Sequence, residues 1–238
     1  MNLYEKQIDK ELNHWYQGIQ KHAGFLERSS DQLQKKTQKM IPVKIRNTIT
    51  SVMETMTETI MNGSELLTVK EDTGDLALAE RDYLVLHSFY TYRNTATVQG
   101  AGFGMGGVLL GMADLPVLMS IKIKFMFDAA KLYGFNPEHL EERLFILHVF
   151  QLAFSSKEHQ LRIFQIIEDW EHAESYDVNW EKLQTEYRDY IDFAKLLQLL
   201  PVVGSVAGGT ANYRLMNRLR DTVMNCYRMR ILKRQFRD

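Results

Sequence analysis

The sequence is poor in residues that break helices, cross-link the chain or anchor it in a bilayer. Only four prolines occur in 238 residues, at positions 42, 116, 137 and 201. That scarcity permits long helices, because an interior proline removes a hydrogen bond and clashes with the preceding turn. No Asn-Gly or Asp-Gly pair lies between alternating apolar runs, the pattern of a β-hairpin. Asn62-Gly63 and Thr73-Gly74-Asp75 sit instead at the ends of helical patterns. A single cysteine, Cys226, excludes an intrachain disulfide and fits a reducing compartment. The opening Met1-Asn2-Leu3-Tyr4-Glu5-Lys6 has no basic stretch followed by an apolar one, so no secretory signal is expected. No run reaches the roughly 20 predominantly apolar residues of a spanning helix. The net charge of −1 argues against a general nucleic-acid binder.

What is present is the balance of a folded globular protein, 45% apolar and 25% charged. The expected fold class is all-α, one compact multi-helix domain spanning residues 1–238, with two glycine-rich apolar helices in or near its core. Residues 3–27 read as a helix with Leu12, Trp15, Ile19 and Phe25 at helical spacing. Ser29 to Gln32 resembles a capping box. Pro42 suits the first turn of a second helix, with Val52, Met53, Met56 and Ile60 as its buried stripe. Asp75 is expected to cap a third, with Leu76, Ala79, Tyr83, Leu86 and Tyr90 on one face. A helix from Leu115 to Tyr133 stops at Gly134, and Asn136-Pro137-Glu138 starts the next. Ser155 to Glu158 is expected to cap a helix to about Trp170, another runs from Asp177 or Asn179 to Leu200, and Pro201 opens the last.

Glycine placement is the most distinctive feature. Gly100/Gly104, Gly102/Gly106 and Gly107/Gly111 are four residues apart, as are Gly204/Gly208 and Ser205/Gly209. Such spacing lines small residues along one helix face, where another backbone can approach closely. Six helical glycines would cost roughly 5 kcal/mol relative to alanine, so close packing must offset them or the segment is not a regular helix. A phosphate loop is disfavoured, since no strand precedes the segment and no Lys-Ser/Thr follows it. Partial insertion into a bilayer stays open beside the soluble-core reading. Full spanning is disfavoured, because Asp114 at a helix centre would cost about 2.5–3.5 kcal/mol. Asp114 reads first as the cap of the helix carrying Pro116, and second as a buried acid.

These residues carry a family resemblance. Gly102-x-Gly104, then Gly106-Gly107-Val108-Leu109-Leu110-Gly111-Met112-Ala113-Asp114-Leu115-Pro116, then Lys131-Leu132-Tyr133-Gly134-Phe135, resembles the signature of the EcsC family. Leu200-Pro201-Val202-Val203-Gly204-Ser205-Val206-Ala207-Gly208-Gly209-x-x-Asn212-Tyr213 is similar to that family's second glycine-rich segment. The resemblance implies a helical bacterial protein whose gene lies beside those of an ATP-binding cassette (ABC) transporter. It thereby implies a role in transport or its regulation, and it brings no catalytic residue.

Other constellations read as structural. Glu11-x-x-His14 has no second copy, so a di-metal site fails on ligand count. His148, among Leu144, Phe145 and Leu152, reads as a hydrogen-bonded core histidine. Cys226 shares the apolar side of the last helix with Leu215, Leu219 and Val223, as an inert thiol. No motif calls for a cofactor or a metal. On that last helix Arg214, Arg218 and Arg228 cluster by helical angle, and Arg230, Lys233, Arg234 and Arg237 extend the charge. This basic end suits an anionic membrane surface or a transporter subunit. It equally suits a solvated face paired with the acidic stretch 158–192. The expected function is a non-enzymatic accessory or regulatory protein, cytoplasmic or peripheral at the inner membrane face, beside an ABC transporter. Two alternatives stand: a lipid- or apolar-ligand module lined by Met105, Met112, Met119 and Met126, and an enzyme using Asp114.

Overall fold

The computed structural model describes residues 1–26, 43–63, 73–103, 115–155, 157–172 and 205–235. Side chains are described at all of these except 22–26, 43–50, 52–53, 95–103, 115–118, 157–158, 205–212 and 234–235. The fold is all-α. Seven helices occur among the described residues: α1 (Leu3–Leu26), α2 (Val43–Asn62), α3 (Leu78–Phe103), α4 (Leu115–Leu132), α5 (Leu140–Phe154), α6 (Lys157–Glu168) and α7 (Ser205–Gln235). A 3-10 turn at Trp170–His172 follows α6, and no strand occurs among the described residues. Buried side chains from all seven helices join one hydrophobic core. The expected capping box at 29–32, Pro42 and the helix expected from 177–179 to 200 lie outside the described residues.

Local chemistry sets the helix ends. At the start of α1, Asn2 Oδ1 accepts from the Glu5 backbone N–H at 2.9 Å and Glu5 Oε2 accepts from the Asn2 N–H at 2.8 Å, a reciprocal capping box. Asp75 does not cap α3. The helix begins at Leu78, and Glu80 Oε2 reaches back to the Ala77 N–H at 2.8 Å. Ser155 closes α5 rather than opening α6, since its hydroxyl donates to the Gln151 carbonyl at 2.6 Å.

The end of α4 is a Schellman motif. The Phe135 N–H donates to the Ala130 carbonyl at 3.0 Å and the Gly134 N–H to the Lys131 carbonyl at 2.9 Å. Gly134 takes φ +86°, the left-handed conformation this motif requires. Arg81 sits on the turn. It donates to the Tyr133 carbonyl, to Leu76 O at 2.9 Å and to Gly74 O at 3.0 Å. Thr73 adds a hydroxyl donor to Lys131 O at 3.0 Å. The bonds to Lys131 O and Tyr133 O satisfy carbonyl groups left open at the C-terminus of α4, and those to Gly74 O and Leu76 O tie the segment before α3 to the same turn.

α4 is the central helix. From Met119 to Tyr133 only Ser120 is exposed, with Lys124 and Lys131 half-buried. A helix apolar on nearly all sides belongs in a core. α3 lies antiparallel to it: the Tyr133 hydroxyl, just past the end of α4, donates to Asp82, and seven residues further along α3 Phe89 packs on Phe125. α7 lies antiparallel to α3, with Asp82 beside Arg228, Phe89 beside Arg220 and Arg93 beside Tyr213. α1 packs on α6 through Trp15 and Tyr16 against Phe164.

One expected face is wrong. On α3 Tyr83 and Tyr90 are exposed, while Leu78, Asp82, Val85 and Phe89 are buried. The inward stripe is rotated because a buried Asp occupies it. Elsewhere Met56 and Ile60 are buried, as are Leu215, Leu219, Val223 and Cys226.

Candidate functional site

α7 holds the polar interior together with two arginines. Arg228 and Arg230 are two residues apart, so they leave the helix about 200° apart. One turns to α3 and the other to α5, which pins α7 between them. Arg228 Nε lies 3.0 Å from both oxygens of Asp82, which is 1% exposed. The hydroxyls of Tyr4 and Tyr133 donate to the same carboxylate, each at 2.5 Å. This first cluster therefore joins α1, α3, α7 and the residue just past α4.

The second cluster is centred on Glu142. Arg230 Nη1 lies 3.1 and 2.8 Å from the two Glu142 oxygens, and the Tyr227 hydroxyl donates to Oε1 at 2.6 Å. Glu171 takes the other side of Arg230, with Nε donating at 2.8 Å and Nη2 2.7 Å away. The guanidinium carbon lies 4.0 Å from the ring centres of Phe135 and Phe145, a cation–π arrangement strengthened by exclusion of water. Tyr133 and Tyr227 stack at 5.4 Å, so the two clusters are contiguous.

Burial and these partners set the protonation states. Burial first, then the Asp82 hydrogen bond, pushes the Tyr4 hydroxyl up to about 12. Burial and adjacent carboxylates push Tyr133 and Tyr227 well up too. Burial alone would lower both arginines, but their carboxylate and tyrosine partners outweigh it and raise them. Burial pushes the Cys226 thiol up, against a weaker pull from Arg230. The tyrosines thus stay donors and the thiol stays protonated at neutral pH. Both carboxylates accept from a tyrosine and an arginine at once. The arrangement is a clamp on helices, not an acid, base or nucleophile offered to solvent. Among the described residues, no group of three or more His, Cys, Asp or Glu is set to hold a metal.

The basic residues proposed for a membrane or partner divide accordingly. Arg228 and Arg230 are corrected: they are internal, because buried carboxylates claim them. Lys233 is half-buried, with Nζ donating to the Glu168 carbonyl at 3.0 Å. Arg218 is half-buried and Arg214 is exposed. Arg237 and the side chain of Arg234 lie outside the description. Of the glycine positions, Gly100 and Gly102 are helical in α3, and Gly208 and Gly209 in α7. Pro116 lies in the first turn of α4. Gly104, Gly106, Gly107, Gly111, Asp114 and Gly204 lie outside the described residues, as do Met105 and Met112. Met119 and Met126 are buried core side chains. His148 bonds Gln151 at 3.1 Å and packs against Trp170.

Sequence reasoning missed Asp82, Glu142, Tyr4 and Tyr227. Each residue at the end of the Lys131-Leu132-Tyr133-Gly134-Phe135 segment has a physical role. Tyr133 binds Asp82, Gly134 makes the turn and Phe135 packs on Arg230.

An all-α fold clamped by tyrosine–carboxylate–arginine clusters thus surrounds this motif. The chain belongs to the EcsC protein family, whose profile matches residues 6–232. It is 41% identical over 224 residues to Protein EcsC of Bacillus subtilis (strain 168), covering 94% of each chain. It is 34% identical over 148 residues to the uncharacterized protein YdbA of the same organism, covering 59% of this chain and 54% of that one. No solved structure matches it.

Proposed function

We propose that this chain is a non-enzymatic accessory or regulatory protein, acting at the cytoplasmic membrane face beside an ABC transporter. The observation that carries the non-enzymatic part is the internal neutralisation of its buried polar groups. Asp82 and Glu142, two buried carboxylates of the fold, hold four helices in register. Active sites keep titratable groups poised in a cleft; here the same groups are closed on one another. Support for the transporter setting comes from the family, whose members the resemblance places next to such transporters. No described helix is long and apolar enough to cross a membrane.

The test is affinity capture of the tagged chain from native membranes in mild detergent, with mass-spectrometric identification of what comes with it. Enrichment of the permease or ATPase subunits of an ABC transporter is expected. Recovery of the chain without any such subunit removes the transporter reading. The enzymatic alternative has its own arm: Asp114→Asn abolishing function at unchanged stability would favour it.

A further inference from the structure

The exposed edge where α3 meets α7 differs from the remaining described surface. Tyr83 is 68% exposed, Tyr90 45% and Tyr213 44%. Tyr83 and Tyr90 are two helical turns apart and share a face of α3. The Arg93 guanidinium carbon lies 4.8 Å from the Tyr90 ring centre and 4.9 Å from that of Tyr213. Its Nη1 also donates to the Tyr213 hydroxyl at 3.2 Å, so the rings of the two helices form one surface. Arg214 adds an exposed cation beside Tyr213.

Charge along these segments has one sign. No Asp or Glu occurs between Tyr83 and Ala113, or between Phe193 and Arg220. The chain leaves α3 into Gly104-Met105-Gly106-Gly107-Val108-Leu109-Leu110 and enters α7 from Pro201-Val202-Val203-Gly204, uncharged and largely apolar by sequence.

We propose that Tyr83, Tyr90, Arg93, Tyr213 and Arg214 form the surface by which this protein docks on an anionic lipid bilayer, at the level of the headgroups. The inference rests on the membrane-face reading above and assigns it a surface, displacing the basic C-terminal end expected from sequence. Tyrosine rings settle at membrane–water interfaces because the ring is apolar and the hydroxyl is wet. Arginine stacked on tyrosine keeps its full charge for lipid phosphates, which it matches in planar geometry. Among the described side chains of this edge, the exposed large apolar ones are tyrosines.

The test is co-sedimentation of the full chain with vesicles of phosphatidylglycerol and phosphatidylcholine, against phosphatidylcholine alone. Wild type is expected to bind the anionic vesicles and not the neutral ones. Arg214→Glu is expected to weaken binding roughly five-fold or more, and Tyr90→Ser with Tyr213→Ser by about ten-fold. Arg234→Glu with Arg237→Glu should change it much less. All three altered positions in the first two variants are exposed, and an unchanged melting temperature confirms that they fold. Variants that bind like wild type overturn the proposed surface and leave the membrane reading standing. Wild type that ignores anionic vesicles, yet fractionates with cell membranes, overturns lipid docking and points to a protein partner. Wild type that does neither overturns both.

Discussion

Gly134 sits at φ +86°, with Arg81 Nη1 only 2.5 Å from where a β-carbon would stand. The guanidinium has little room to yield, because three backbone carbonyls hold it. Gly134→Ala should therefore destabilise the protein by about 1–3 kcal/mol, through backbone strain and displacement of Arg81. Gly18, inside α1, is the opposite case: a β-carbon there meets nothing within 4 Å. Gly18→Ala should stabilise by about 0.5–1 kcal/mol, since only helix propensity changes. Urea midpoints of the two variants should move in opposite directions, and movement in the same direction would contradict the turn geometry. Lys122 is the other residue with a readable consequence. Fully buried in α4, it is pulled by desolvation from 10.5 to about 7. Above that pH the unfolded lysine keeps a proton that the folded one has released. The unfolded state then binds more protons, so stability rises with pH. The clean window runs from about pH 7 to about pH 9, because burial raises Cys226 and the tyrosines, whose linkage has the opposite sign above that range. Over that window the rise attributable to Lys122 is about 2 kcal/mol. Lys122→Met should be more stable than wild type at pH 7 and lack this rise; a variant with the wild-type slope would show that the slope has another source.

At the scale of helices, the clusters decide which faces meet. Removing one member of a buried ion pair leaves the other charged and unpaired, at a cost of about 3–5 kcal/mol. Asp82→Leu and Arg228→Met should each lose that much. The double variant should lose less than their sum, by about 0.5–3 kcal/mol, because neither charge is then stranded. Additive losses in urea unfolding would mean that the pair is not coupled as its 3.0 Å contacts indicate. The same pair explains what sequence could and could not reveal. Helix ends were legible where the signal is local, as at Gly134, but Asn136-Pro137-Glu138 forms a turn and α5 begins only at Leu140, after His139. The inward face of α3 was not. Tyr83, Leu86 and Tyr90 make the more apolar stripe, whereas the buried stripe contains Asp82. What makes Asp82 tolerable inside is Arg228, 146 residues later, and no periodicity carries that information. The basic run on α7 misleads for the same reason: helical angle groups the arginines, and distant carboxylates redistribute them. Of the glycine positions, Gly100, Gly102, Gly208 and Gly209 are helical and the others lie outside the described residues. The antiparallel register of 82 with 228, 89 with 220 and 93 with 213 brings Gly100 level with about residue 207 if both helices continue straight.

For the whole molecule, the position of each arginine determines how it responds to salt. Arg228 and Arg230 are enclosed, with side chains 13% and 6% exposed. Their partners are within hydrogen-bond distance, and buried pairs are screened far less than exposed ones. Arg214 and the tyrosine surface face water, where a screening length of about 8 Å at physiological ionic strength shrinks to about 3 Å at 1 M. Stability and membrane binding should therefore separate. Between about 0.05 and 0.5 M sodium chloride the urea midpoint should stay nearly constant, while binding to anionic vesicles falls steeply, because long-range attraction is the part that salt removes. Both can be followed on one preparation, by tryptophan fluorescence for unfolding and by co-sedimentation for binding. A midpoint that falls in parallel with binding would place the stabilising charges at the surface, contrary to the clamp. Binding that survives high salt would mean that the tyrosines, not the arginines, hold the protein to lipid.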